Sequence, residues 1–259
     1  MTEEELANFY SGTLKVDALR NQYVLLKLDG QIVDKYRYDG SKFIKVNPKA
    51  IDGQILSKIK SRNQYQDLLF DLLNTDIPLL SISGPAGSGK TFVTTAHALM
   101  QLQKEKYKRI VIIRNDVPVL GVRELGILPG DANDKMMESI KYLSDIITPF
   151  LLENMIQSNQ IDLCYLGTMR SRSLSDCIVL CNESQNLTTE IVKMIISRIG
   201  DNSRLIFDYD LSQIDSKMFQ KDNGMMAMAE CLKGNELFGA VDLKDVERSA
   251  VARLAMLIN

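Results

Sequence analysis

The sequence predicts an α/β fold: a mostly parallel sheet covered by helices on both faces, preceded by a small β-rich extension. Three observations carry this. Short apolar runs alternate with longer segments of 3.6-residue periodicity, which demands crossover connections and hence parallel strands. One apolar run leads straight into a glycine-rich loop that opens a helical segment. Near the N-terminus, two Asp-Gly pairs divide runs of alternating apolar residues, the pattern of a meander.

The elements follow in order. Residues 22–46 (QYVLLKLDGQIVDKYRYDGSKFIKV) hold Asp-Gly at 29–30 and 39–40, where the positive φ of tight hairpin turns is tolerated, so three strands are expected. Residues 47–60 contain Pro48 and Gly53 and read as a connector. Residues 1–60 are thus expected to be the extension and 61–259 the core. From 63 to 73 the pattern is helical. Strands are then expected at 79–83, 110–113, 162–166, 177–182, 204–208 and 238–243. Helices are expected at 91–103, 134–156, 188–199, 225–233 and 246–258.

Composition narrows the classes. A chain of 259 residues with 45% hydrophobic content suits one full domain with a small appendage. A net charge of −2 does not mark a bulk nucleic-acid binder. No apolar run reaches 18 residues, and MTEEELANFY lacks the basic flank and apolar stretch of a leader, so a cytoplasmic protein without a membrane span is expected. Cys164, Cys177, Cys181 and Cys231 have no histidine cluster beside them and read as free, buried thiols. His97, the only histidine, falls in a predicted helix and reads as structural.

Residues 79–91, LLSISGPAGSGKT, carry the chemistry. Gly84, Gly89, Lys90 and Thr91 match G-x-x-x-x-G-K-[ST]. Glycines let the backbone wrap phosphates with its N–H groups turned inward, and the helix N-terminus adds positive potential. Gly84, Pro85, Ala86, Gly87, Ser88, Gly89, Lys90, Thr91 and Phe92 are the expected nucleotide-binding stretch. Lys90 would reach the β- and γ-phosphates, and the Thr91 hydroxyl would ligate Mg²⁺.

A second apolar run, CIVLCNE, ends in Asn182 and Glu183. Alone it is a core strand with a polar end. With the phosphate loop upstream, Asn182 and Glu183 become the expected metal-side pair, and Glu183 the residue that orients water. A third run, RLIFDYDLSQID, ends in Asp208, Asp210 and Gln213, a polar cluster at a strand edge that faces the ligand crevice of an open α/β sheet. Gln213 could sense a γ-phosphate or position water; taken alone it is an ordinary loop glutamine. Arg170, Arg172 and Arg248 are candidates for stabilising phosphoryl charge, and Arg114 ends a strand facing the same crevice.

Together these pieces resemble the PhoH-like family of P-loop ATPases, related to superfamily 1 helicases, from about residue 63 to the C-terminus. GPAGSGKT is similar to the family's GPAGTGKT, and ELGILPGDANDKM at 124–136 to G-(F/Y)-L-P-G-x-x-x-x-K. MRSRSLSDCIVLCNESQN resembles R-G-R-(S/T)-x-x-x-x-x-I-x-D-E-A-Q-N, and DYDLSQID resembles T-G-D-x-x-Q-I-D. DNGMMAMAECLKG followed by VERS resembles the endings of the branch that carries an N-terminal PIN nuclease domain, while NQYQDLLFDLL resembles an N-x-x-Q segment. The resemblance implies a RecA-like core and Mg²⁺-dependent ATP hydrolysis. It also implies a homo-oligomeric ring, with a hexamer as one expected size. It sets Gln66 against the adenine edge, Lys90 and Thr91 on phosphate and metal, Glu183 on water and Gln213 on the γ-phosphate. Arg248 becomes an arginine finger or sensor, and Arg170 and Arg172 take a subunit boundary.

Three departures from the family pattern stand out. Asn182 replaces the acid before Glu183, Ser171 replaces the glycine between the paired arginines, and Tyr209 replaces the glycine before Asp210. About 60 residues precede the core and read as strands, so no nuclease activity is expected. A neutral amide at 182 implies weaker Mg²⁺ retention and slower hydrolysis, with ATP binding intact. Residues 42–62 hold six Lys or Arg against one Asp and suit an RNA or single-stranded DNA backbone, or simply a solvated face. The competing function is a nucleotide-gated ring assembly protein whose turnover is incidental.

Overall fold

The computed structural model describes residues 1–114 and 140–247. The N-terminal meander forms as expected: β1 (Tyr23–Leu28), β2 (Gln31–Tyr38) and β3 (Phe43–Lys45) pair antiparallel in that order. Asp29 and Gly30 take positive φ at the first turn, as does Gly40 at the second. Helix α1 (Glu3–Tyr10) precedes the meander, closed by a capping box between Thr2 and Glu5.

Helix α2 (Gln64–Leu73) joins this sheet to the core. Asp71 on α2 accepts from Tyr23 Oη (2.8 Å), Arg37 Nε (3.2 Å) and the Asn47 N–H (3.1 Å), and Asp67 accepts from Lys35 Nζ (2.7 Å). The opposite face of α2 buries Leu69, Phe70, Leu72 and Leu73 in the main core.

That core lies on one face of a six-stranded sheet in which every pairing is parallel. Its strands are β4 (Leu79–Ser83), β5 (Arg109–Arg114), β6 (Ile161–Tyr165), β7 (Cys177–Cys181), β8 (Arg204–Tyr209) and β9 (Phe238–Asp242), ordered β6-β5-β7-β8-β4-β9. Helices α3 (Lys90–Gln103) and α4 (Pro149–Gln157) contribute to the core on one face. Helices α5 (Thr189–Ile196) and α7 (Gly224–Leu232) supply the second cluster on the other. Alternation explains the continuous apolar run of β7. Ile178 and Leu180 pack with the α3 side, while Cys177, Val179 and Cys181 pack with the α5 side. Truncating such a fully buried leucine to alanine costs about 2–5 kcal/mol.

Three expectations are corrected. The helix expected at 134–156 is not continuous where it is described: a 3₁₀ turn spans Lys141–Asp145, and α4 begins afresh at Pro149 behind the Thr148 cap. Proline lacks the N–H an interior turn needs but suits the first helical position. Cys231 is exposed rather than buried. Residues 217–221, which carried no helical expectation, form the short helix α6 (Lys217–Lys221). The segment 124–136 and most of the helix expected at 246–258 lie outside the described residues. Among those described, no helix is long and apolar enough to cross a membrane.

Candidate active site

The parallel sheet brings the C-terminal ends of β4, β7 and β8 to one edge, where ligands of open α/β sheets bind. The phosphate loop, 84–89, leaves β4 there and runs into α3. Gly84 has φ +148°, and a Cβ on it would sit 2.7 Å from the Leu243 carbonyl oxygen, so no side chain fits. Gly89, at φ +90°, is the N-cap of α3. Lys90 is buried and donates from Nζ to the carbonyls of Gly84 (2.6 Å) and Pro85 (3.1 Å), which holds the ammonium inside the curl of the loop. Thr91 follows one residue into the helix. Phe92 is exposed on the loop's outer flank.

Gln66 fastens the loop from α2. Its Nε2 donates to Ser88 O (3.0 Å) and its Oε1 accepts the Arg62 N–H (2.9 Å). It stands in the wall of a cavity of about 690 Å³ that also includes Lys58, Lys60, Arg62, Gly87, Gly89 and Phe92. Glu247 closes the same region, donating its N–H to Gly87 O (2.8 Å) and accepting from Asn63 Nδ2 (2.6 Å). A second cavity of about 540 Å³ opens on the other side of the loop, between Lys90, Thr91, Tyr142, Asn182, Glu183 and Gln213. The two meet at Gly87, Gly89 and Phe92.

Asn182 is buried at the end of β7 and donates from Nδ2 to Tyr142 Oη (2.7 Å). Glu183 is exposed and sits in the left-handed region (φ +54°), which an L-residue adopts at a cost and which clusters at functional positions. Its Oε2 accepts from Gln185 Nε2 (2.9 Å), while Gln185 Oε1 accepts the Asp210 N–H (3.3 Å). Asp210 in turn accepts from the Ala86 N–H (2.9 Å) and from Gln213 Nε2 (2.9 Å). One chain of hydrogen bonds therefore connects Glu183, Gln185, Asp210, Gln213 and the phosphate loop.

Strand β8 lies between β4 and β7, and its Asp208 is fully buried. One carboxylate oxygen accepts the Glu183 N–H (3.2 Å), and Oδ2 has no hydrogen-bond partner among the described residues. Burial raises its pKa to about 6, although the Lys90 ammonium, the Glu183 N–H and the Thr91 hydroxyl all pull toward the charged form. Among the described residues no group of three or more His, Cys, Asp or Glu is arranged to hold a metal by itself. A Mg²⁺ ion here would draw on the Thr91 hydroxyl, nearby carboxylates, phosphate oxygens and water, the donor set this ion favours. The orphaned oxygen of Asp208 fits such a hard cation or its water.

The remaining expected residues lie elsewhere. Arg172 forms an ion pair with Asp162 on β6, which raises the arginine's pKa, and Arg170 is exposed at the end of the 3₁₀ turn Leu166–Ser171. Within one chain neither lines the two cavities. Arg248 and the side chain of Arg114 lie outside what is described. The basic stretch 42–62 is divided. Lys58, Lys60 and Arg62 line the cavity beside Gln66, whereas Lys45 and Lys49 line a separate hollow with Arg20 and Arg37. Sequence reasoning missed Tyr142 and Gln185, and gave Asp208 and Asp210 no individual roles. His97 is buried on α3, its pKa pushed well down by burial and by Arg204, in keeping with a structural role.

A glycine loop joining a parallel strand to a helix, with its lysine, threonine and facing carboxylates at one sheet edge, defines a P-loop NTPase-like fold. The chain belongs to the PhoH-like protein family, whose pattern matches residues 58–258. Protein PhoH2 of Thermobispora bispora is 32% identical over 201 residues, 76% of this chain and 46% of that protein. Protein PhoH2 of Bacillus subtilis is 32% identical over 215 residues, 79% and 48% respectively. A PhoH-like protein of Mycobacterium leprae is 36% identical over 161 residues, 61% and 45%. The chain spans about half the length of the curated relatives it matches.

Proposed function

We propose that this chain binds ATP and hydrolyses it with Mg²⁺, and that turnover is coupled to remodelling of RNA or single-stranded DNA. The observation that carries the first part is the meeting of Lys90, Thr91, Glu183 and Gln213 around one cavity beside the phosphate loop. The phosphates lie along the loop, with Lys90 neutralising the β- and γ-oxygens. The base and sugar enter the adjoining cavity between Gln66 and Phe92. Glu183 takes the proton of the attacking water, its carboxylate steadied by Gln185. Gln213 senses the γ-phosphate and reports through Asp210 to the Ala86 N–H of the loop. Bound Mg²⁺ would neutralise charge that builds on the phosphate oxygens during transfer.

The resemblance to a family related to helicases, and the exposed Lys58, Lys60 and Arg62 beside the nucleotide cavity, support coupling to a nucleic-acid backbone. Arg248, Arg170 and Arg172 serve at the boundaries of a homo-oligomeric ring. The neutral Asn182 favours a second reading, in which nucleotide binding gates ring assembly and hydrolysis is incidental. Phosphate release by wild type and Glu183→Gln, with and without single-stranded RNA and DNA and beside native mass measurement, separates the two. Stimulation by single strands supports the motor. ATP-dependent oligomer size with no nucleic-acid response supports the gated assembly. A Glu183→Gln variant as fast as wild type would overturn the role given to Glu183.

A further inference from the structure

The position at the end of β7 where a metal-side acid was expected holds an amide, Asn182. The adjacent strand offers a carboxylate at the same level. β7 and β8 pair in register through Leu180–Ile206 and Cys181–Phe207. Asn182 directly follows the last residue of β7, and Asp208 is the next residue of β8. Adjacent strands run about 4.8 Å apart, so the two positions differ by one strand spacing. Side chains alternate faces, and Leu180 and Ile206 both pack into the core on the α3 side. Asn182 and Asp208, two residues further on, share that face, where α3 begins with Lys90 and Thr91.

Asp208 is 1% exposed, and its Oδ2 is buried without a hydrogen-bond partner among the described residues. An unpartnered buried carboxylate oxygen is costly, and such costs persist at functional sites. Its neighbour on the same face of β8, Ile206, is an apolar core residue. The other carboxylate oxygen is held by the Glu183 N–H, from the residue assigned to water. The left-handed backbone at Glu183 thus serves two ends, presenting its side chain to the cavity and its N–H to Asp208.

We propose that Asp208 is the carboxylate that holds Mg²⁺ or its hydration shell beside Thr91, supplying from β8 the charge that Asn182 withholds on β7. The inference rests on the ATP reading above. Asn182 is then a positioning residue, joined to Tyr142 in the wall of the cavity. The missing charge is displaced by one strand rather than lost.

The test is the affinity of a fluorescent ADP analogue measured with Mg²⁺ and with EDTA, for wild type, Asp208→Asn, Asp208→Thr and the exchange Asn182→Asp/Asp208→Asn. The readout is the ratio of the two affinities, with circular dichroism confirming the fold of each variant. That ratio should fall by about 10–100-fold in Asp208→Asn, the usual effect of removing a carboxylate that supports a metal. Asp208→Thr should match it, so one misfolded variant does not decide the outcome, and the exchange should recover most of the ratio. A wild-type ratio in both single variants would overturn the proposal while leaving the ATP reading intact. Failure of the wild type to bind the analogue under either condition would overturn both.

Discussion

The ends of β7 and β8 lie side by side yet handle buried polarity in opposite ways. At β7 the buried group is a neutral amide, and its Nδ2 is bonded to Tyr142. At β8 it is a carboxyl with one oxygen bonded and the other unpartnered among the described residues. The residue that follows Asn182 presents an exposed carboxylate. The one that follows Asp208, Tyr209, turns to the other face and packs in the second cluster. The difference teaches that charge at such a site belongs to a layer of the sheet rather than to one sequence position. A motif read along a single strand registers a loss where the layer registers a shift.

Substitutions at these two ends can break the comparison or sharpen it. The largest effect is expected for Glu183→Gln, which removes the proton acceptor and should lower the rate of phosphate release by about 10²–10⁴-fold while nucleotide still binds. Next comes Asp208→Asn in nucleotide-free, metal-free buffer. Burial lifts the folded carboxyl from its ordinary 3.8 to about 6. Folding therefore takes up a proton between those values, and stability falls as pH rises through that window. Above about pH 6 the cost is complete, on the order of 3 kcal/mol. Asp208→Asn should melt at a higher temperature than wild type at neutral pH, with the gap closing as pH falls toward 4. A variant less stable than wild type at pH 7.5 would contradict a carboxylate kept there against stability.

Asn182→Asp should have a smaller effect. A second carboxylate one strand away from Asp208 repels it, so the gain in Mg²⁺ affinity should stay below about tenfold and part of it should appear as a raised pKa. A larger gain, measured in the same analogue titration, would mean that β7 rather than β8 is the natural seat of the charge. Tyr142→Phe is expected to have the smallest effect, about 1 kcal/mol of thermal stability from losing the hydrogen bond to Asn182. Its measurable consequence is a loosened Asn182, with little change in the Mg²⁺-to-EDTA ratio.

Much of the fold was legible because the signals were local. The six core strands alternate with helical periodicity, and each is observed within one residue or so of its expected bounds. Two Asp-Gly turns set the meander in the same way. The failures have physical causes. Pro149 lay inside an apolar 3.6-residue pattern, yet its missing N–H makes it a helix start, so the pattern alone overran the break. Helix α1 carries one local signal in the sequence, the capping-box spacing of Thr2 and Glu5, which the lack of leader features in MTEEELANFY does not address.

The candidate site divides similarly. The phosphate loop is contiguous, so its residues were readable in order. Tyr142 and Gln185 were not, since each acts through a partner on another element, Asn182 in one case and the Asp210 N–H in the other. Asp208 did leave a signal. In RLIFDY an acid interrupts a strand buried on both faces, where desolvation makes it expensive. Where DYDLSQID resembles T-G-D-x-x-Q-I-D, that acid also stands in place of the threonine. Its significance depended on a neighbour, since only the pairing of β7 with β8 sets Asp208 beside Asn182.

The most direct measurement is the Mn²⁺ affinity of the ADP complex, followed by electron paramagnetic resonance. It compares wild type, Asp208→Asn and the exchange Asn182→Asp/Asp208→Asn. The expected result is a loss of about 10–100-fold in Asp208→Asn and recovery of most of it in the exchange. Wild-type Mn²⁺ affinity in Asp208→Asn, or an exchange variant as weak as the single one, would contradict the displacement of charge from β7 to β8.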